Sequence, residues 1–326
     1  MILILDANNM AYRALYSVQL SFRGVDTSIT YGSLLMTTAL LRKFQPSSII
    51  ACFDGGSPPF RKELFPEYKA HRTHNSDERD WEDVYRQIDE LCYYAFPIHG
   101  IMTLRKKDIE ADDLMAQAAY LSEEKCCIVT TDDDLLQCVD EQTIVYNPTK
   151  DEIYTEDKLY YGDLYLPRYY FHLLYKMLCG DSSDNIPGIS SIGPKTATKI
   201  IECLCTAWND EEDPYSYSYL VSILEDLPLN TRQVTSFKEL GEERWNALYE
   251  VMDLLFDRVG ARRVVLQTEW MPSDPEKIRR YYLSHGFMSL LEERTDRIYS
   301  SLQKPQFREN ERTPIVLKQD FEKGEK

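Results

Sequence analysis

The sequence lacks a hydrophobic run long enough to cross a membrane. None of its apolar stretches approaches the ~18 consecutive residues that a membrane-spanning helix needs. The N-terminal segment, Met1-Ile-Leu-Ile-Leu-Asp6, is short and has no basic start, so it does not resemble a signal peptide. We therefore expect a cytoplasmic protein with no membrane partner, in which residues 2–5 form a buried strand.

Cysteines are present, but they are not spaced as zinc ligands. The eight cysteines include no C-x-x-C pair, and most stand in apolar surroundings. This pattern argues against a zinc site. It is typical of buried thiols in a reducing compartment.

Positive charge is scarce. The chain has 37 lysines and arginines against 54 acids, a formal net charge of −17. Taken alone, this balance argues against a nucleic-acid partner. The distribution changes that expectation, because acids gather in residues 202–253 and in short motifs, while bases form local groups at residues 61–72 and 105–107. An acidic chain of this kind can still carry a basic groove.

The first half alternates apolar runs with segments of helical periodicity. Residues 48–53 and 127–131 join residues 2–5 as expected buried strands, and residues 31–44 and 109–121 have helical spacing. This alternation predicts an α/β fold with a central, mostly parallel sheet and helices on both faces. No internal repeat is visible.

An acid follows each of the three expected strands: Asp6, Asp54 and Asp132. In open α/β sheets, sites form beyond the carboxyl ends of the strands. We therefore expect these acids to converge at one edge of the sheet.

The rest of the chain suggests three further parts. Residues 58–98 are basic and aromatic at first and then helical, which indicates an insertion near the site. The chain is mainly helical from residue 167 and polar from residue 303. The expected division is a domain at 1–165 with an insertion at about 58–98, which such a position makes a lid, an arch or a disordered loop, a helical part at 166–302 and a disordered tail at 303–326.

Carboxylates in short motifs are the most informative feature of the sequence. A single strand-end acid is more often a helix cap, and Asp-Ser-Ser-Asp is more often a turn. A crowded set would need cations to stay ionised, and Mg²⁺ and Mn²⁺ prefer oxygen ligands. Two such ions about 3.5–4 Å apart are usual in phosphodiester chemistry. The candidate ligands are Asp6, Asp54, Glu110, Asp112, Asp113, Asp132, Asp134, Asp181 and Asp184.

In order along the chain, these motifs resemble the bacterial and phage 5′ nucleases, or flap endonucleases, which include the 5′ nuclease domain of bacterial DNA polymerase I and phage RNase H-type enzymes. The resemblance covers roughly residues 1–204 and is weak beyond them. The matching residues are Asp6-x-x-Asn9-x-x-Tyr12-Arg13, Phe53-Asp54-Gly55, Phe60-Arg61, Pro66-Glu67-Tyr68-Lys69-Ala70-x-Arg72, Glu110-Ala-Asp112-Asp113, Thr131-Asp132-x-Asp134-Leu-Leu-Gln137, Gly180-Asp181-Ser-Ser-Asp184-Asn185-Ile-Pro187-Gly188 and Ile192-Gly193-Pro194-Lys195-Thr-Ala197.

The resemblance implies roles for the carboxylates and for the bases near them. It implies a first Mg²⁺ or Mn²⁺ among Asp6, Asp54, Glu110, Asp112 and Asp113, and a second among Asp132, Asp134, Asp181 and Asp184. It places Arg13 and Lys69 at the scissile phosphate and Tyr68 against the terminal base. Two departures are Ala7, where many relatives have glycine, and Asp133, which often is a lysine.

The resemblance makes residues 1–165 a PIN-like 5′ nuclease catalytic domain, the insertion at about 58–98 an arch and residues 166–302 a DNA-binding part. It also implies nucleic-acid contacts outside the metal site. Basic and aromatic residues are interleaved in the insertion, which suits a single strand, and include Arg61, Tyr68 and Arg72. Residues 180–204 resemble a helix-hairpin-helix element, in which Gly188, Gly193, Lys195 and Lys199 would hold duplex phosphates. In the family this element commonly binds K⁺.

These observations predict a stand-alone, monomeric 5′-3′ exonuclease and flap endonuclease of a bacterial or phage-infected cytoplasm. Its expected substrates are DNA and RNA–DNA hybrids with 5′ flaps or ends, and a sliding clamp or single-strand-binding protein is a candidate partner. A PIN-like ribonuclease and a non-catalytic binder of branched DNA remain as alternatives.

Overall fold

The computed structural model describes residues 1–71, 80–155, 159–161, 164–166, 171–207 and 213–308. The chain forms two compact units, each built from separate stretches of sequence. The sheet unit comprises Met1–Pro59, Arg72–Glu156 and Leu254–Phe307. The helical unit comprises Phe60–His71, Asp157–Asp253 and Arg308–Lys326.

Strands occur mainly in the first half of the chain. They are β1 (Ile2–Asp6), β2 (Ser21–Phe22), β3 (Val25–Asp26), β4 (Ser48–Cys52), β5 (Met102–Leu104), β6 (Cys126–Val129), β7 (Thr143–Asn147), β8 (Glu152–Tyr154), β9 (Leu159–Tyr161), β10 (Leu164–Leu166), β11 (Gly180–Asp181) and β12 (Ile186–Pro187).

Helices dominate the second half. They are α1 (Ala7–Ser17), α2 (Ser28–Phe44), α3 (Pro59–Leu64), α4 (Trp81–Glu90), α5 (Phe96–Ile98), α6 (Ala111–Leu121), α7 (Phe171–Cys179), α8 (Pro194–Ala207), α9 (Tyr217–Ile223), α10 (Thr231–Met252), α11 (Ala261–Gln267), α12 (Pro275–His285), α13 (Met288–Glu292) and α14 (Thr295–Ile298). A π-helical turn (Leu91–Ala95) joins α4 to α5, and short 3₁₀ helices span Asp133–Cys138 and Tyr299–Ser301.

The sheet unit contains a six-stranded sheet in the order β5-β4-β1-β6-β7-β8. Only the β7–β8 pair is antiparallel. The central strand β1 is fully buried, which is why its sequence is a continuous apolar run rather than an alternating one. The mostly parallel α/β fold expected from the sequence is confirmed.

The core of the sheet unit draws on distant parts of the sequence. Leu3 and Leu5 of β1 belong to the same buried cluster as Ile88 of α4, Tyr282 of α12 and Tyr299. His99 connects these parts, because its Nε2 lies 2.7 Å from the Tyr282 hydroxyl and its ring packs edge-on against Tyr299. The unit is therefore closed by its last segment, Leu254–Phe307.

The predicted insertion at 58–98 divides between the two units. Phe60–His71 belongs to the helical unit. The part from α4 to α5 packs in the core of the sheet unit, where Val84 and Phe96 are buried. Its apolar residues recur at helical spacing because they face that core, and the bounds of the insertion stay a prediction.

The predicted disordered tail at 303–326 begins with ordered residues. The Gln303 amide donates to the Ser47 carbonyl at 2.8 Å, and Phe307 forms a β-bridge with Ser122. Residues 309–326 lie outside the described part of the chain. Within the described part, no helix is both long and apolar enough to span a bilayer.

Candidate metal centre and nucleic-acid contacts

Three acids meet at the carboxyl edge of the central strands. Strand β1 pairs in parallel with β4 and β6, and this register sets Asp6 opposite Cys52 and Leu5 opposite Val129. Asp54 and Asp132 follow those strands within a few residues. Both carboxylates act electrostatically on the Asp6 carboxyl, so the convergence expected from the sequence is present.

Asp6 is the most enclosed of these three acids. Its side chain is 7% exposed and caps α1, with Oδ1 accepting from the Asn9 amide at 2.9 Å and Oδ2 from the Thr130 hydroxyl at 2.8 Å. The pKa of Asp6 is raised to about 7, mainly by burial and also by the charges of Asp54 and Asp132. The two hydrogen bonds act in the opposite direction and lower the pKa. A cation at this edge would favour the ionised form.

The start of α6 brings a second group of acids to the same region. The Asp54 Oδ1 accepts from the Ala111 amide at 2.9 Å, at the positive end of the helix dipole. Asp112 and Asp113 lie in the first turn of α6, which Glu110 precedes. Burial and the charges of Asp6, Asp112 and Asp54 raise the pKa of the Cys52 thiol well above its ordinary value, so these acids surround one buried residue.

A glycine fixes the approach of this helix to the sheet. A Cβ on Gly55 would lie 1.6 Å from the Lys106 carbonyl oxygen, so no other residue fits there without moving the backbone. The Gly55 amide donates to the Ile109 carbonyl at 2.9 Å, directly before the helix. The Ser57 hydroxyl then donates to Glu110 at 2.8 Å. The sequence motif contained Gly55 but did not reveal this reason for it, and Ser57 and Thr130 gave no signal.

Asp132 and Asp134 adopt a different local structure from the one expected. An extended strand would point both side chains the same way, but Asp132 instead caps the 3₁₀ helix that follows it. Its Oδ1 accepts from the Asp134 amide at 2.9 Å. Gln137 fixes the end of this turn, since its side chain donates to the Asp134 carbonyl and accepts from the Leu254 amide, both at 2.9 Å.

The other two predicted ligands lie in the helical unit, on the hairpin of β11 and β12. Asp181 Oδ1 accepts from the Ser183 amide and hydroxyl, and its Oδ2 lies 2.7 Å from Lys176 Nζ. Burial alone would raise the pKa of Asp181, but the Lys176 charge and these hydrogen bonds outweigh it and lower the pKa. Asp184 Oδ2 lies 3.5 Å from Lys69 Nζ. Lys176 was missed, although a lysine within the apolar helix α7 was a visible signal.

The residues predicted to contact the substrate strand differ in how far they are buried. Arg13 is half-buried on α1, and Lys69 has a left-handed backbone with φ of 55°. Tyr68 is buried, and Lys69 Nζ lies 4.9 Å from its ring centre. Arg61 is also buried, where its Nε donates to the Val251 carbonyl at 3.1 Å. Arg72 lies outside the described residues.

The interior positions of Arg61 and Tyr68 differ from the surface positions that base or phosphate contacts require. Their nucleic-acid roles stay predictions, and each would need the side chain to move.

The two glycines of the predicted helix-hairpin-helix element serve different purposes. A Cβ on Gly188 would lie 2.1 Å from the Cys179 carbonyl carbon, so this glycine permits a close approach within the protein. A Cβ on Gly193 would meet no atom within 4 Å, which leaves room for a ligand at the start of α8. Lys195 and Lys199 are exposed on that helix.

Comparison with known proteins identifies the chain. The family model for the 5′-3′ exonuclease N-terminal resolvase-like domain matches residues 1–161. A 5′-3′ exonuclease of Aquifex aeolicus is 30% identical over 251 residues, which cover 74% of this chain and 83% of that protein. The chain belongs to the 5′-3′ exonuclease family. The resemblance carried by its motifs is thereby confirmed.

Further members of the 5′-3′ exonuclease family show how much of each relative is shared. The Bacillus subtilis 5′-3′ exonuclease is 32% identical over 212 residues, 61% of this chain and 69% of that protein. DNA polymerase I of Streptococcus pneumoniae strain R6 is 32% identical over 213 residues, 61% of this chain. The match spans 23% of that polymerase, about a quarter of its length.

Solved structures share the fold of this 5′-3′ exonuclease family member. One is the bacteriophage T5 flap endonuclease in a pseudo-enzyme–product complex with DNA and metal ions. It is 20% identical with a TM-score of 0.63, covering 87% of this chain and 98% of that one. Human GEN1 in complex with Holliday junction DNA is 14% identical with a TM-score of 0.53, covering 89% and 70%.

Proposed function

We propose that the protein is a metal-dependent 5′-3′ exonuclease and flap endonuclease. It hydrolyses phosphodiester bonds near the 5′ ends of branched or nicked DNA and of RNA primers during replication. The carboxylate edge around Asp6 supports this proposal best. A buried acid with a pKa raised to about 7, surrounded by further acids, is unfavourable in a purely structural role.

The donor set fits a hard divalent cation. All of the candidate ligands are carboxylates, and carboxylate oxygen is a ligand that Mg²⁺ and Mn²⁺ prefer. Asp6, Asp54, Glu110, Asp112 and Asp113 would hold one ion. Asp132, Asp134, Asp181 and Asp184 are proposed for a second, and a K⁺ is proposed at the helix-hairpin-helix element. When bound, the divalent ions would supply a reactive water and neutralise phosphate charge.

The protein's own residues would place the strand. Lys69 and Arg13 are proposed to contact the scissile phosphate, where a fixed cation stabilises charge that develops during hydrolysis. Gly193, Lys195 and Lys199 are proposed to hold duplex phosphates, with Gly188 shaping their hairpin. Such contacts position a duplex without reading its sequence.

The wider setting is proposed from the relatives. The T5 complex contains DNA and metal ions, and the GEN1 complex contains junction DNA. We propose DNA and RNA–DNA hybrids with 5′ flaps as substrates, and a monomer in a bacterial or phage-infected cytoplasm. A sliding clamp or single-strand-binding protein is the proposed partner, with residues 1–165 catalytic and 166–302 binding DNA.

One experiment tests the proposal against its two alternatives. A 5′-flap DNA and a single-stranded RNA are incubated with the protein, with and without Mg²⁺, beside the variants Asp54→Asn and Asp226→Asn. We expect flap cleavage only with Mg²⁺, its loss in Asp54→Asn and its retention in Asp226→Asn, since Asp226 is an exposed acid of the helical unit.

The alternative outcomes are distinct. Cleavage of the RNA alone would support a PIN-like ribonuclease. Tight binding of the flap without any cleavage would support a non-catalytic DNA-binding protein. Wild-type cleavage by Asp54→Asn would contradict the proposed metal centre.

A further inference from the structure

A groove of about 350 Å³ lies within the helical unit. Its walls come from three segments: the turn after α3, the β11–β12 hairpin and α10. Phe65, Pro66, Ile186 and Pro187 give it apolar sides, and Arg244 gives it a cation. Ligand pockets typically measure roughly 300–1,000 Å³, so this groove is suited to a ligand at the small end of that range.

Arg244 stacks on an aromatic ring and forms no ion pair with the described acids. Its guanidinium carbon lies 3.8 Å from the centre of the Phe65 ring, a close cation–π contact. Among the described residues, no carboxylate forms an ion pair with it. Helix α10 is kinked at Gly241, where φ is 76°, and in the segment after the kink the positions three and four residues beyond Arg244 are Ala247 and Leu248, which carry no charge.

No acid in the described part of the chain therefore neutralises this cation, although the chain carries a net charge of −17. A guanidinium presents a planar fork of N–H donors that matches a phosphate. Stacking on Phe65 holds that fork in place and lowers the entropy cost of binding an anion.

Two residues that line the groove are close in sequence to proposed site residues, because Glu67 precedes Lys69 by two positions and Asn185 follows Asp184 directly. The Asn185 side chain donates to the Glu67 carbonyl at 3.0 Å, and the Lys69 amide donates to the Asp184 carbonyl at the same distance. These two bonds join the segment that carries Lys69 to the hairpin that carries Asp184. A ligand in the groove would thus lie beside residues assigned to the scissile phosphate and a metal ion.

We propose that this groove holds one nucleotide of the substrate strand next to the cleaved bond. Arg244 binds its phosphate, and Pro66, Ile186 and Pro187 contact its sugar and base. The exposed carboxylate of Glu67, which also lines the groove, repels a further phosphate and limits the occupant to a single nucleotide. This inference rests on the proposed function for the identity of the strand.

The test uses the full chain, a chelator and two small probes, thymidine 5′-monophosphate and thymidine. Amide NMR titrations of the wild type should show the monophosphate perturbing Glu67, Asn185 and Ile186. Arg244→Leu should weaken the monophosphate at least tenfold, because a charge-assisted hydrogen bond contributes roughly 1.5–3 kcal/mol. Thymidine itself should bind weakly and equally to both proteins.

The matched control is Lys238→Leu, which removes one positive charge from an exposed position of α10 on the other side of the kink at Gly241. It should leave monophosphate affinity unchanged. Equal affinities of Arg244→Leu and Lys238→Leu for the monophosphate would overturn the inference. So would perturbations that avoid the groove, or thymidine binding as tightly as its monophosphate.

Folding and function are checked separately. If a melting curve shows that Arg244→Leu is unfolded, Arg244→Gln replaces it with the same expectations, because its planar amide can still stack on Phe65. Flap cleavage with Mg²⁺ is measured independently. A wild type that binds the monophosphate in the groove but cleaves no flap would contradict the proposed function alone, and the converse result would contradict the groove alone.

Discussion

Replacing Asp6 by asparagine should stabilise the metal-free protein, and increasingly so as the pH rises. Asp6 is 7% exposed, and its pKa is raised from 3.8 to about 7, so the folded state binds the Asp6 proton more tightly than the unfolded state does. This tighter proton binding stabilises the folded state, and the stabilisation is fully present below pH 3.8 and is lost as the pH rises through 7. Asparagine cannot ionise and avoids this loss.

The size of the effect follows from the two pKa values. Each unit is equivalent to about 1.4 kcal/mol, so a shift of roughly three units costs the wild type roughly 4 kcal/mol at alkaline pH. Of this, roughly 2–3 kcal/mol develops between about pH 5 and pH 8. Asparagine also places an N–H group opposite the Thr130 hydroxyl, which now donates to Asp6. That mismatch costs about 1 kcal/mol at every pH, so only the pH-dependent part is diagnostic.

The assay is urea unfolding of both proteins in chelator over a range of pH. The stability difference between Asp6→Asn and wild type should grow by roughly 2–3 kcal/mol over that range, while Asp226→Asn should show no such trend. Saturating Mg²⁺ should reverse the advantage, because the ion binds the wild-type carboxylates only in the folded state. A difference that does not change with pH would show that the Asp6 carboxyl is already ionised in the metal-free fold.

Three further predictions concern the metal, the cations and the glycines. Cleavage should stop in chelator and return with Mg²⁺ or Mn²⁺. Calcium should support binding with little cleavage, because its coordination is looser. Full activity in excess chelator would contradict the metal centre. Lys69→Ala should lower the single-turnover rate of flap cleavage about 10²–10³-fold with little loss of affinity for the flap. Lys195→Ala should instead weaken flap binding and reduce the slope of log binding constant against log salt concentration by about one. The opposite pattern would exchange the roles of the two lysines. Gly188→Ala should destabilise the protein by more than about 2 kcal/mol in urea unfolding, since its Cβ would overlap Cys179. Gly193→Ala should cost less than about 1 kcal/mol, and equal losses would remove the distinction between the two glycines.

The sheet edge could be predicted from the sequence because strand ends are local features. A buried strand followed by an acid identifies Asp6 and Asp54 without any long-range information, and parallel pairing then brings them together. The same reasoning predicted the mostly parallel α/β fold. In each case short-range pattern and final structure agree.

Some of the features that were missed depend on contacts between distant residues, and others are local. Nothing in the local sequence shows that Gln137 accepts from the Leu254 amide, far along the chain. The pairing of Lys176 with nearby Asp181 is local, and it was missed although a lysine within the apolar helix α7 was a visible signal. The 3₁₀ helix after Asp132 also escaped prediction, because Asp-Asp-Asp suits a cap and an extended segment equally well. The helical spacing of α4 was visible, but its place in the core of the sheet unit was not.

The sheet unit completes its core only with its last segment, Leu254–Phe307. Tyr282 and Tyr299 pack in one cluster with Leu3, and Gln117 donates to the carbonyl of Leu255 at 3.0 Å. These contacts have very large sequence separations, so the loop-closure entropy of almost the whole chain opposes them before any is made. During synthesis, the acidic edge of the sheet around Asp6 emerges from the ribosome long before the segment that completes the core of the same unit. A fragment ending at residue 161, where the family model ends, would expose that core to solvent and aggregate rather than behave as a minimal nuclease.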